Sequence, residues 1–218
     1  MAFSALAPLS KICLRGLAKL RLAPLVVGSM IAAFMVTGGA VALAADSASL
    51  FVQKSAVQAI AILSNRTLPD AERRLQFRTI ILKNFDAPAI GRFVVGPFWA
   101  QAKPEQQSRF QAVFEGALAN IYIERFFEYD GQSLAVKGTH PGDPGVTVVQ
   151  TTVATPTGSK SYDVDWMVAG PAGKEKFMDV VIDGISTSIL TQQDYASVLG
   201  SSKGDLDALT TALKAKGQ

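Results

Sequence analysis

Hydrophobic residues fall into two periodic regimes along this chain. From Asp46 to about Tyr122 they recur every three or four positions, as expected of amphipathic helices. Leu50, Phe51, Val57, Ile60 and Leu63 form one stripe, with Asp46 placed to cap it and Asn65 and Pro69 to end it. A second helix is predicted from Pro69-Asp70 to Asn84, with Leu75, Ile81 and Leu82 inward and Arg73, Arg74, Arg78 and Lys83 outward. Asp86 opens a short helix that Gly96 closes, and Pro97-Phe98-Trp99 follows. A longer helix begins at Lys103-Pro104-Glu105 and carries Phe110, Val113, Phe114, Leu118, Ile121 and Tyr122.

The period then changes to two. Leu134 to Lys137, Val146 to Ala154, Tyr162 to Val168 and Phe177 to Asp183 read as strands separated by turn-rich segments. In the third, Tyr162, Val164, Trp166 and Val168 share one face while Asp163 and Asp165 share the other, so one face of the sheet is wet. Helices are expected again at about Gln192 to Leu199 and Leu206 to Lys214. Helices, then an antiparallel meander, then helices define an α+β fold: a curved antiparallel sheet of four to five strands with helices packed around it.

Charge changes the picture at the N-terminus. Lys11, Arg15, Lys19 and Arg21 precede an uncharged stretch from Leu22 to Ala45, which ends in Ala42-Leu43-Ala44. That is the layout of a secretory signal over residues 1–44, with cleavage before Ala45 and a single domain over 45–218; an uncleaved anchor is the alternative. Taking four basic residues from the 21 leaves 17 against 18 acidic ones, so the net charge of +3 belongs to the leader and a nucleic-acid partner loses support. The leader also holds the sole cysteine, Cys13, and the remainder has one histidine, His140, in a loop-like Gly-Pro setting. A Cys-His pair or a multi-histidine metal site cannot be assembled from these.

Candidate chemistry is sparse. Gly184-Ile185-Ser186 lacks the second glycine of a nucleophile elbow, and Gly173-Lys174 lacks a phosphate loop's glycines. Asp163, Asp165 and Asp183 could serve a small hydrolase or isomerase as acid or base if they were buried; a solvated strand face is the simpler reading. No cofactor is implied. Aromatic residues in surplus at inward positions leave a packed core and a ligand cavity both open.

Three segments carry a resemblance. Met178-Asp-Val-Val-Ile-Asp-Gly-Ile-Ser186 is similar to the Asp-Val-x-Ile-Glu-Gly-Val-Ser strand of the MlaC-type periplasmic phospholipid-binding proteins, also called toluene-tolerance auxiliary proteins. Gln107 to Tyr129 resembles that family's central helix and its Tyr-x-x-Arg-x-x-x-Tyr run, with Tyr122, Arg125 and Tyr129 in those places. Ala59 to Trp99 is similar to the hopanoid-associated subgroup labelled HpnM. The chain departs from the pattern after Ser186, where Thr187 to Tyr195 lacks the aromatic and arginine that members often carry.

The resemblance implies a non-catalytic periplasmic carrier of phospholipid or hopanoid. It would work between an inner-membrane transporter of ABC/MCE type, or an RND-type exporter in the subgroup, and outer-membrane machinery such as a lipoprotein complex. An adaptor that only docks to a transporter is the alternative. A soluble carrier must enclose its cargo's tails, because exposing them costs about 0.8 kcal/mol per methylene, on the order of 10 kcal/mol for a sixteen-carbon chain. The hollow is expected between the long fourth helix and the sheet. Its expected lining is Phe93, Phe98, Trp99, Val113, Phe114, Leu118, Tyr122, Tyr162, Val164, Trp166, Val180, Ile182 and Ile185.

Overall fold

The computed structural model describes residues 38–215, with side chains from Ala44 onward. These residues fall in one compact unit, Val36–Gln218. The element order is α1 (Gly38–Leu63), α2 (Asp70–Asn84), α3 (Ala87–Val95), a 3-10 turn (Gly96–Gln101), α4 (Pro104–Phe126), β1 (Ser133–Pro141), β2 (Val146–Ala154), β3 (Ser161–Ala169), β4 (Lys176–Ile182), β5 (Ile185–Ser186), α5 (Thr187–Ser201) and α6 (Leu206–Ala215). The strands form one antiparallel meander in the order β1-β2-β3-β4-β5. The α+β class and the open five-stranded sheet agree with the sequence pattern. Among the described residues, no helix is long and apolar enough to cross a membrane. The basic leader and Cys13 lie outside the described residues.

Local chemistry explains most boundaries. Asp86 accepts a hydrogen bond from the Ala89 amide at 2.9 Å and caps α3, and Gly96, at φ 61°, closes it. The Lys103 amide donates to Gln106 at 3.1 Å, and Pro104 occupies the first turn of α4, where its missing N–H costs nothing. Asp183 and Gly184, at φ 48° and 80°, form a two-residue turn of the kind that Asp-Gly favours, returning β4 into the short β5. β1 is irregular: its register on β2 shifts between Val136 and Gly138.

Four expectations are corrected. α1 begins at Gly38, so Asp46 lies inside the helix, the alanine-rich run before it continuing the helical backbone. Its inward face runs through Ala48, Val52, Ser55 and Leu63, while Leu50 and Val57 of the expected stripe are exposed. In α2 the inward face runs through Arg73, Phe77, Ile81 and Asn84, while Leu75 is exposed. Arg73 turns inward because Nη1 donates to the Leu63 carbonyl at 2.9 Å, closing α1, while Nη2 pairs with Asp70 and the guanidinium lies 4.8 Å from the Phe127 ring centroid. His140 pairs with Val148 at the end of β1 rather than sitting in a loop, the turn being formed by the residues after Pro141. α5 starts five residues earlier than expected because the Ser186 hydroxyl accepts from the Ile189 amide at 3.0 Å.

Candidate functional site

A solid aromatic core occupies the half of the molecule where α4 meets α3, α5 and α6. Phe110 stacks on Phe114 with ring centroids 5.3 Å apart, Trp99 meets Phe110 edge-on at 6.2 Å, and Tyr195 presses edge-on against both phenylalanines. Gly91 of α3 lies so near α4 that a Cβ there would meet Phe114 at 3.0 Å. Side chains here are interlocked at contact distance.

The other half is hollow. A cavity of about 330 Å³ lies between α1 and α2 on one side and the sheet on the other, with the end of α4 and its following turn beside them. Helix α1 contributes Val52, Ser55, Ala56, Ala59, Ile60 and Leu63; α2 contributes Phe77, Ile80, Ile81 and Asn84. The sheet supplies Leu134, Val153, Tyr162, Val164, Trp166, Phe177 and Ile182. Three of the residues that α1 contributes, Ser55, Ala56 and Ala59, are small and so leave volume open in the wall. The volume is at the lower end of the roughly 300–1,000 Å³ typical of ligand pockets.

An aromatic row braces the wall. Phe126 lies parallel to Trp166 at 6.4 Å, Trp166 meets Phe177 at 5.1 Å, and Phe177 touches Phe51 at 4.7 Å and Phe85 at 5.0 Å. The indole N–H of Trp166 donates to the Thr151 hydroxyl at 3.0 Å, which donates to the Val164 carbonyl at 2.9 Å. With that chain closed, the ring offers the cavity only its carbon surface. The two buried polar residues in the wall, Ser55 and Asn84, bond to each other at 3.1 Å. The exposed lining residues, Arg125, Glu128, Ser133 and Tyr162, gather at the end of α4, the start of β1 and the start of β3, which marks the mouth. The interior is therefore suited to hydrocarbon, and the rim to a polar group in water.

The thirteen residues expected from sequence divide accordingly. Tyr162, Val164, Trp166 and Ile182 stand on the cavity wall. Phe114, Leu118, Tyr122 and Val180 are buried in the core, and Val113, Phe98 and Trp99 are half-buried beside it. Phe93 and Ile185 face outward, at 48% and 57% exposure. The hollow lies under α1 rather than along the body of α4, whose Phe110 and Phe114 pack against Tyr195 of α5, with Gly91 of α3 closing on Phe114. Sequence reasoning missed the α1 and α2 contributors. The available signal was the run of small residues on the inward stripe of α1.

The wet face of the sheet holds the acidic residues. Asp163 pairs with Lys137 at 2.7 Å, and that hydrogen bond, followed by the charge of Lys137, holds its carboxyl below the ordinary 3.8. Asp183 accepts from the Asp163 amide at 2.9 Å and belongs to the β4–β5 turn. Asp163 and Asp183 are exposed, and Asp165 is half-buried. A carboxylate held ionised in water is a poor proton donor near neutral pH. Among the described residues, no three His, Cys, Asp or Glu side chains converge as metal ligands.

Residues 53–215 match the family described as MlaC protein. The toluene tolerance protein ttg2D of Pseudomonas putida is 27% identical over 123 residues, covering 56% of this chain and 57% of that protein, so the match spans little more than half of that relative's length. The phospholipid-binding protein from Ralstonia solanacearum, solved in complex with a phospholipid, shares the fold with a TM-score of 0.65 and 24% identity, over 77% of this chain and 95% of that one.

Proposed function

Since the chain belongs to the MlaC family, we propose that it is a periplasmic lipid carrier that holds the tails of a glycerophospholipid in the cavity beneath α1 and leaves the head group at the rim. The observation that carries this reading is the division of that cavity into an apolar interior and a polar mouth. Residues 1–44 would direct export. Loading and unloading would take place at an inner-membrane transporter and at outer-membrane machinery. A hopanoid is the second reading. It rests on the similarity of Ala59 to Trp99 to the HpnM subgroup and on the flat pairing of Phe126 with Trp166, which suits a fused-ring body. On either reading the residues act by enclosing and orienting cargo, with no covalent step.

The test is solvent extraction and mass spectrometry of protein expressed from the full sequence and purified without detergent. Stoichiometric lipid is expected, its mass separating phospholipid from triterpenoid; protein free of lipid overturns the proposal. Two substitutions locate the site. Ala59→Asp places an unpaired charge in the wall, and Ala59→Phe fills the space without charge. Both are expected to lower lipid content at least tenfold. A folded Ala59→Phe protein with wild-type lipid would show that the cargo lies elsewhere.

A further inference from the structure

The mouth of the cavity carries two opposite charges that are not joined to each other. Arg125 and Glu128 both line it, both are exposed, and neither takes part in any of the ion pairs found within 4.0 Å among the described residues. They stand three residues apart, Arg125 in the last turn of α4 and Glu128 two positions beyond its end. The helix carbonyls favour the arginine there and disfavour the carboxylate, so helix stability does not explain Glu128. The turn just after Glu128 is anchored. Arg66 donates to the Tyr129 carbonyl at 2.7 Å, tying this turn to the loop that follows α1. Gln132 and Ser133 complete the polar edge.

We infer that this rim is a subsite for a zwitterionic head group of the phosphoethanolamine type, with the phosphate at Arg125 and the ammonium at Glu128. A guanidinium presents paired N–H donors that match phosphate oxygens, and a carboxylate accepts from all sides of an ammonium group. A singly anionic head group ending in a neutral polyol would satisfy Arg125 but leave Glu128 facing hydroxyls. A head group with no phosphate would leave Arg125 without an anionic partner. The arrangement therefore discriminates between lipids with identical tails. The inference rests on the carrier reading and deepens it by naming the class of cargo.

The test offers full-length protein equimolar phosphatidylethanolamine and phosphatidylglycerol with matched acyl chains in vesicles, then measures the lipid retained after repurification. Wild-type protein is expected to favour phosphatidylethanolamine by about two- to fivefold, the range set by exposed ion pairs. Glu128→Gln should bring the ratio close to one. Arg125→Gln should lower retention of both phospholipids by a similar factor. Glu124→Gln, which alters an exposed carboxylate outside the cavity lining, should keep the wild-type ratio. A wild-type ratio of one, or a preference that survives Glu128→Gln, overturns the head-group assignment while leaving the carrier reading intact. Wild-type protein that takes up neither lipid overturns the carrier reading and this subsite with it.

Discussion

Tyr122→Phe should stabilise the protein, and it separates two roles for a residue that the family motif brings forward. The Tyr122 side chain is 1% exposed, and its hydroxyl has no hydrogen-bond partner among the described residues. Burial, followed by the nearby charge of Asp179, pushes the phenol far above its ordinary 10.0, so the oxygen keeps its proton and remains an unanswered donor. Leaving such a group buried and unpaired costs about 1–3 kcal/mol. Phenylalanine keeps the ring, its parallel contact with Phe126 at 6.1 Å and its tilted contact with Phe85 at 4.3 Å, while removing that cost. With a urea m-value of about 2 kcal/mol/M, the unfolding midpoint should rise by roughly 0.5–1.5 M. Tyr122 is not part of the cavity wall, so lipid content should be unchanged. A midpoint lowered by the equivalent of about 1 kcal/mol or more would show that the hydroxyl has a partner. Loss of bound lipid from a folded variant would show that the partner is the cargo.

Arg73→Met removes the side chain that closes α1 over the cavity, including its bond to Leu63 and its contact with Phe127; it should cost about 1.5–3 kcal/mol in chemical denaturation, and an unchanged midpoint would refute that role. The pair between Asp163 and Lys137 gives an acid-side signature. The folded-state pKa of Asp163 lies below 3.8, so its contribution is fully present above the unfolded value and is lost as pH falls through the folded one. Thermal unfolding of Asp163→Asn should accordingly differ most from wild type above pH 3.8 and converge with it at lower pH; a difference that grows toward acid would contradict this sign.

The fold was largely legible in the sequence because period and punctuation agreed. The boundaries of α2 and α3 follow from Pro69, Asp86 and Gly96, and the alternation in β3 assigns its faces correctly. The cavity was less legible. Periodicity located the helices but misjudged parts of their inward faces, since Leu50 and Val57 of α1 and Leu75 of α2 are exposed, and it does not show whether a facing surface fills the space. Phe114 presents the same pattern as a wall residue, yet it is held in the core by Phe110, Tyr195 and the close approach at Gly91. Ala56 and Ala59 carry little hydrophobic signal, yet both line the cavity, where small side chains leave room. Arg73 escaped for a related reason: its charge marks it for solvent, while the open end of α1 gives its guanidinium a carbonyl to bind.

An open sheet can grow at its margins, where unpaired backbone groups invite another strand. Here each margin is spoiled. β1 is kinked between Val136 and Gly138, carries Lys137 at the kink and ends in Pro141, which has no amide hydrogen to offer a neighbour. At the far side β5 is only two residues long before the chain turns into α5. The part of β4 that β5 leaves uncovered is interrupted too, since the Asp86 amide donates to the Phe177 carbonyl at 3.0 Å, so neighbouring copies meet short, broken stretches of backbone rather than a long regular strand.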